Sequence, residues 1–141
     1  MAIVYFDSSA YVKLLVEEVG SDLAAALWDG CDTAVASRLG YPEVRAALAA
    51  ARRDHRLTAA DQRHAEAAFE SYWAATRMVE LTGAVAERAG QLARDYALRG
   101  ADAVHLAGVL TVGVDHVLLA VWDRRLRAGA RAAGVRVVPA E

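Results

Sequence analysis

Cysteine is almost missing from this chain: Cys31, in "DGCDT", is the only one in 141 residues, so no internal disulfide can form. No His or Cys stands near it at a zinc-like spacing, and no basic flank favours a reactive thiolate, so it reads as inert. The four histidines, His55, His64, His105 and His116, show no paired spacing either, which argues against a zinc site. Lysine is equally scarce, with Lys13 alone. No apolar stretch approaches the ~20 residues of a membrane helix, and no basic region followed by a long apolar segment opens the chain; a soluble, cytoplasmic protein with no membrane partner is expected. Positive charge is not in excess. At a net −2 there is no global attraction to nucleic acid, and such a partner must be met by local patches. "ARRDHR" (Arg52, Arg53, Arg56) and "WDRRLRAGAR" (Arg124, Arg125, Arg127, Arg131) are candidates, although each also reads as an ordinary solvated helix face.

What is present is apolar and regularly punctuated. With 56% hydrophobic residues the chain can bury one core, as a single domain over residues 1–141. Ile3 to Phe6, Thr33 to Ser37, Met78 to Leu81, His116 to Trp122 and Val135 to Pro139 read as short strands bounded by polar, Gly or Pro residues. Between them lie helical patterns: Ser8 to Leu15, a helix capped by Ser21, Glu43 to Asp54 after Pro42, one opened by Thr58 and Asp61 and running to about Ala75, Thr82 to Leu98, and Ala101 to Val112. Strands alternating with helices predict an α/β three-layer sandwich with a five-stranded parallel sheet.

In such a sheet, ligands sit outside the carboxyl ends of the strands, where the strand order reverses. Asp7, in "VYFDSS", closes the first strand, and Asp123, in "VWDRRL", follows the fourth. Glu43 enters a helix just past "TAVAS", and Asp102 opens "ADAVHLAGVL". Asp115 precedes its strand and belongs to a turn at the opposite edge. Each of the four has an ordinary structural reading as a helix cap or first-turn acid favoured by the helix dipole. Their conjunction suggests more. Four carboxylates converging on one edge would repel one another and raise one or more pKa values unless a cation sat among them. A carboxylate cluster without His or Cys suits Mg²⁺ or Mn²⁺, whose bound water is a nucleophile fitted to phosphodiester hydrolysis.

Taken in order, "VYFDSSAYVKLL", "SRLGYPEVRAAL", "RGADAVHLAGVL" and "VWDRRL" resemble the PIN-domain family, and within it the VapC-type toxins of bacterial toxin–antitoxin pairs, over essentially the full chain. The resemblance implies a ribonuclease acting on RNA, with Asp7, Glu43, Asp102 and Asp123 as metal-binding catalytic carboxylates. It also implies a homodimer and a cognate antitoxin. One departure is Val121, where the family often has Thr or Ser two residues before the last acid; a hydroxyl able to orient Asp123 or a water is missing there. Ser8 and Ser37 match polar positions flanking the family's site, though each also reads as a turn or cap residue. His105 lies on the helical face of Asp102 and reads as a packing or hydrogen-bonding residue rather than a ligand. Leu27, Trp28, Tyr72 and Trp73, on helices that also carry charge, suggest a partner surface.

Two rivals remain in view. Phosphoryl transfer through an aspartyl phosphate also starts with an Asp after the first strand. The second Asp of haloacid-dehalogenase-like enzymes is replaced here by Ser9, however, and the late lysine of receiver domains is absent. A PIN-like module that binds RNA or a protein partner without cleaving is the non-enzymatic alternative, and Val121 is the feature that favours it.

Overall fold

The computed structural model describes residues 1–140. Among these, five strands alternate with seven helices: β1 (Ile3–Phe6), α1 (Ser8–Leu15), α2 (Ser21–Gly30), β2 (Thr33–Ser37), α3 (Gly40–Arg53), α4 (Ala59–Ala74), β3 (Arg77–Val79), α5 (Gly83–Asp95), α6 (Gly100–Val112), β4 (Val117–Ala120), α7 (Arg124–Ala132) and β5 (Arg136–Val138). Every strand pairing is parallel and the sheet order is β3-β2-β1-β4-β5. The fold is therefore the three-layer α/β sandwich that the alternation of patterns predicts. The outer strands are shorter than their apolar runs suggest, because β3 and β5 each have one neighbour and pair over three residues only.

Period-two alternation divides the core between the two faces of the sheet. Val4, Phe6, Ala34, Ala36 and Ala120 pack with Tyr11, Val44, Leu48, Phe69 and Trp73, from α1, α3 and α4. Tyr5, Val35, Val117 and Leu119 pack with Leu92, Leu106, Val109 and Leu126, from α5, α6 and α7. This division corrects one expectation. Trp73 is buried, and Trp28 and Tyr72 meet edge to face at 4.9 Å while Trp28 also packs against Phe6 at 5.3 Å. Trp73 thus belongs to the first core cluster rather than to a free partner surface, while Leu27, Trp28 and Tyr72 are half-buried against that cluster. Among the described residues no helix is long and apolar enough to cross a membrane.

The topology reverses between β1 and β4, since β2 and β3 lie on one side of β1 and β4 and β5 on the other. A crevice at the carboxyl ends of β1 and β4 is thus the position such a sheet offers to a ligand. Asp115 lies in the turn before β4, at the opposite edge, as its place in the sequence predicts.

Tyr5 has no slack on its face. A Cβ added at Gly108 of α6 would lie 3.0 Å from the Tyr5 hydroxyl and 3.1 Å from its ring, and Tyr5 is wholly buried. Gly108→Ala gains helix propensity of ~1 kcal/mol but overpacks a ring that cannot withdraw, a cost of ~1–3 kcal/mol. Net destabilisation of ~1 kcal/mol is expected in urea unfolding, whereas no loss of stability would show that the ring has room to move.

Candidate functional site

Each of the four acids reaches the crevice from a helix start. Asp7 is the cap of α1, its carboxylate accepting from the Ala10 N–H at 3.0 Å, and Asp123 caps α7 by accepting from the Leu126 N–H at 2.9 Å. Glu43 and Asp102 stand in the first turns of α3 and α6, and neither residue is the helix cap. All four line one hollow of about 300 Å³ with Ser8, Ser9, Val12, Ala47, Arg99 and His105. A larger hollow, about 600 Å³, lies beside α3 and α4. Its acid, Glu70, is taken by Tyr41 and Arg45, so it offers no comparable chemistry.

Asp7 is the buried member, only 3% exposed. Loss of hydration pushes its carboxyl up to about 6, against the opposing pull of His105, the Ser9 hydroxyl and the Ala10 N–H. Glu43 adds only a small further push. The shift expected from crowded like charges therefore comes chiefly from desolvation. Ser9 Oγ donates to Asp7 at 2.6 Å and accepts from the Trp122 N–H at 2.9 Å, tying the end of β1 to the segment after β4.

Glu43 is held from behind. The Ser37 N–H donates to Tyr5 Oη at 3.1 Å, Tyr5 Oη lies 2.9 Å from His105 Nδ1, and His105 Nε2 lies 2.5 Å from Glu43 Oε1. With Oη accepting from Ser37, the tyrosine proton is free for Nδ1, which leaves Nε2–H to donate to Glu43. Burial lowers the affinity of His105 for a second proton, but its hydrogen bond to Glu43 and the nearby carboxylates outweigh this and raise its pKa. In either protonation state Nε2–H faces Glu43. His105 is thus the hydrogen-bonding residue expected, aimed at the site.

Asp102 and Asp123 share a cation: Arg99 Nε donates to Asp102 Oδ2 at 3.2 Å, and its Nη2 lies 3.6 Å from Asp123 Oδ1. Val121 is fully buried in the core cluster that includes residues of α6 and α7, and it does not line the hollow. Ser8 lines the hollow, whereas Ser37 is buried and turns its hydroxyl to the Leu39 N–H. Arg124 and Arg125 are exposed directly after Asp123. Arg52 and Arg53 lie in the last turn of α3, far from Glu43, where basic residues complement the helix dipole, and Arg56 lies in the turn just beyond it.

Sequence reasoning missed Ser9, Arg99 and the Tyr5 hydroxyl. Ser9, two residues after Asp7, and Arg99, three before Asp102, had local signals, whereas the Tyr5 hydroxyl had none. The donor set is carboxylate oxygen with no thiol, and the imidazole is spent on Tyr5 and Glu43, which fits a hard divalent cation. Among the described residues, however, no three His, Cys, Asp or Glu side chains are grouped as ligands of one ion; Arg99 bridges Asp102 and Asp123, and His105 pairs with Glu43.

A family described as PIN domain matches residues 4–131. The chain is 64% identical over 141 residues to Ribonuclease VapC49 of Mycobacterium tuberculosis (strain ATCC 25618 / H37Rv), covering 100% of this chain and 98% of that one. Among solved structures it is similar in fold to FitAcB from Neisseria gonorrhoeae, with a TM-score of 0.72 at 19% identity over 95% of each chain. A toxin-antitoxin complex from Klebsiella pneumoniae gives 0.62 at 21% identity, covering 98% of this chain and 96% of that one.

The raised carboxyl of Asp7 sets a pH dependence. Between pH 3.8 and about 6 the folded state holds this proton more readily than the unfolded chain does, so stability falls as pH rises through that window. Asn keeps the size and the accepting oxygen of Asp7 but carries no charge. Asp7→Asn is expected to stabilise the protein in EDTA by ~2–3 kcal/mol at pH 7.5 and by much less at pH 4. Urea unfolding at both pH values measures it, and equal gains would show that desolvation of the charge is not the cause.

Proposed function

Because the chain belongs to the PIN-domain family, we propose that it is a metal-dependent endoribonuclease, the toxin of a toxin–antitoxin pair, hydrolysing RNA phosphodiester bonds with an activated water. The observation that carries this reading is the meeting of Asp7, Glu43, Asp102 and Asp123 in one hollow at the sheet's switch point. It is supported by end-to-end similarity to a protein named a ribonuclease. These four carboxylates would hold Mg²⁺ or Mn²⁺. When bound, such an ion supplies an acidified water as nucleophile and screens charge on a phosphoryl oxygen.

The chain's own groups do the positioning. Asp7 is fixed by Ser9 and Ala10 against rotation, and its burial keeps bulk water from one side of the hollow. His105 orients Glu43 by holding its Oε1, and Glu43 lines the hollow. Ser9, with its proton on Asp7 and its oxygen on Trp122, is placed as a brace rather than as a nucleophile. Exposed Arg124 and Arg125 beside Asp123 give the local positive charge that a chain of net −2 needs in order to meet an RNA backbone.

A cognate antitoxin is the proposed protein partner, in keeping with the toxin-antitoxin complex from Klebsiella pneumoniae among the structural neighbours. Pairing with a second copy of the chain belongs to the same reading, and sizing the purified protein tests it.

Asp102→Asn tests the function directly. The residue makes no capping bond, so the fold should persist. Cleavage of a mixed RNA pool with Mn²⁺ is expected to fall a hundredfold or more, an effect of ~3 kcal/mol or above on the transition state. Wild-type activity should vanish in EDTA and return with excess Mn²⁺. Undiminished cleavage by the mutant would remove Asp102 from the site, and a wild type inert with every divalent ion would leave a binding module.

A further inference from the structure

Asp102 and Asp123 belong to different helices, and among the described residues the ion pairs of both are made with Arg99. The guanidinium spans them as a planar fork, with Nε on one carboxylate and Nη2 toward the other. Its setting differs from that of an ordinary surface arginine in three ways. It lines the same hollow as the four acids. Its backbone caps α6, yet the side chain makes no capping bond, so the long chain is not needed to start the helix. The side chain is 62% exposed against 13% for Asp102, so it can swing into solvent while the carboxylate stays.

We infer that Arg99 is the built-in counter-ion of the metal-free site, holding Asp102 and Asp123 until a divalent cation takes them, so that guanidinium and metal compete for the same pair of carboxylates. The inference rests on the divalent-cation reading proposed above and adds a residue with an opposing role. Without a cation, two carboxylates facing one hollow repel each other, and Arg99 relieves that repulsion during folding and in the free protein. The same contact draws on apparent metal affinity: where only the open fraction binds, the apparent Kd equals the intrinsic Kd divided by that fraction. Exposed ion pairs are individually weak, so the closed arrangement is favoured by a modest factor and the effect on metal binding is correspondingly modest.

The test is Mn²⁺ titration by calorimetry without RNA, on the full chain as wild type, Arg99→Gln and Arg124→Gln, with thermal melting of each in EDTA. Arg124 carries the same charge close to Asp123 but, among the described residues, forms no ion pair, so its variant reports the effect of the field alone. Arg99→Gln is expected to bind Mn²⁺ about three- to tenfold tighter than wild type. Its Tm in EDTA should fall by about 1–3 °C while its Tm in saturating Mn²⁺ matches wild type. Arg124→Gln should change the Mn²⁺ affinity less than twofold. Equal affinities for Arg99→Gln and wild type, equal gains in the two variants, or loss of Mn²⁺ binding in Arg99→Gln would each overturn the competition. A wild type and an Arg99→Gln variant that both fail to bind Mn²⁺ would instead overturn the divalent-cation reading itself, and the inference with it.

Discussion

The structure turns on a carboxylate that the sheet buries. Asp7 ends β1, the central strand, flanked by β2 and β4, and so lies at the deepest point of the crevice where the topology reverses. A charged carboxylate there loses hydration that Ser9, Ala10 and His105 restore only in part, which is why its pKa rises to about 6. An apolar residue in that place would suit the core better. The fold retains a local conflict between burial and charge, the kind of conflict that functional sites keep at the expense of stability.

The two faces of the sheet serve this conflict differently. The face bearing Val4 and Phe6 is a closed aromatic core, in which Tyr11, Phe69 and Trp73 make tilted and edge-to-face contacts at 5.4 to 5.6 Å. It supplies rigidity. The opposite face carries Tyr5, whose hydroxyl begins a buried polar line through His105 to Glu43. Buried polar groups in a line are favourable only when each is satisfied, and here Ser37, Tyr5, His105 and Glu43 satisfy one another in turn. The crowding of Tyr5 against Gly108 follows from the same geometry, because Gly108 lies one helical turn beyond His105 and must let the ring pass.

How much of this the sequence discloses depends on how far each interaction reaches along the chain. The strand-then-acid pattern around Asp7 and Asp123 is local, and it is legible. The choice between cap and site residue was not a real choice: Asp7 and Asp123 cap their helices and line the hollow at once. Glu43 and Asp102 reach the hollow as first-turn acids without being caps, so the dipole argument alone said nothing of where they pointed. The line from Tyr5 to Glu43 joins residues 100 and 62 positions apart, through a packing of α6 on the sheet that periodicity does not encode. Trp73 of α4 misleads for a related reason. Its helix carries charge on the outer side, but the inner side meets α1 and the sheet, and that fact belongs to the tertiary arrangement.

The charge balance of the hollow connects these points to function. Four carboxylates face one guanidinium and one imidazole, so the site stays net negative even with the imidazole protonated and Asp7 carrying its proton. A surface built only for binding RNA would gain nothing from that residue of charge, since an RNA phosphate is repelled by it. A site built for a cation gains from it, provided the metal-free protein can still fold. Arg99 and His105 meet that condition from opposite directions. His105 is buried and permanent, and it fixes Glu43 at no cost in accessibility. Arg99 is exposed and pairs with both outer acids, and on the proposed competition it would neutralise them only while no divalent cation is present. Partial and reversible neutralisation of this kind would let the same carboxylates be tolerated in the free fold and available to an ion, which a fully paired cluster would not allow.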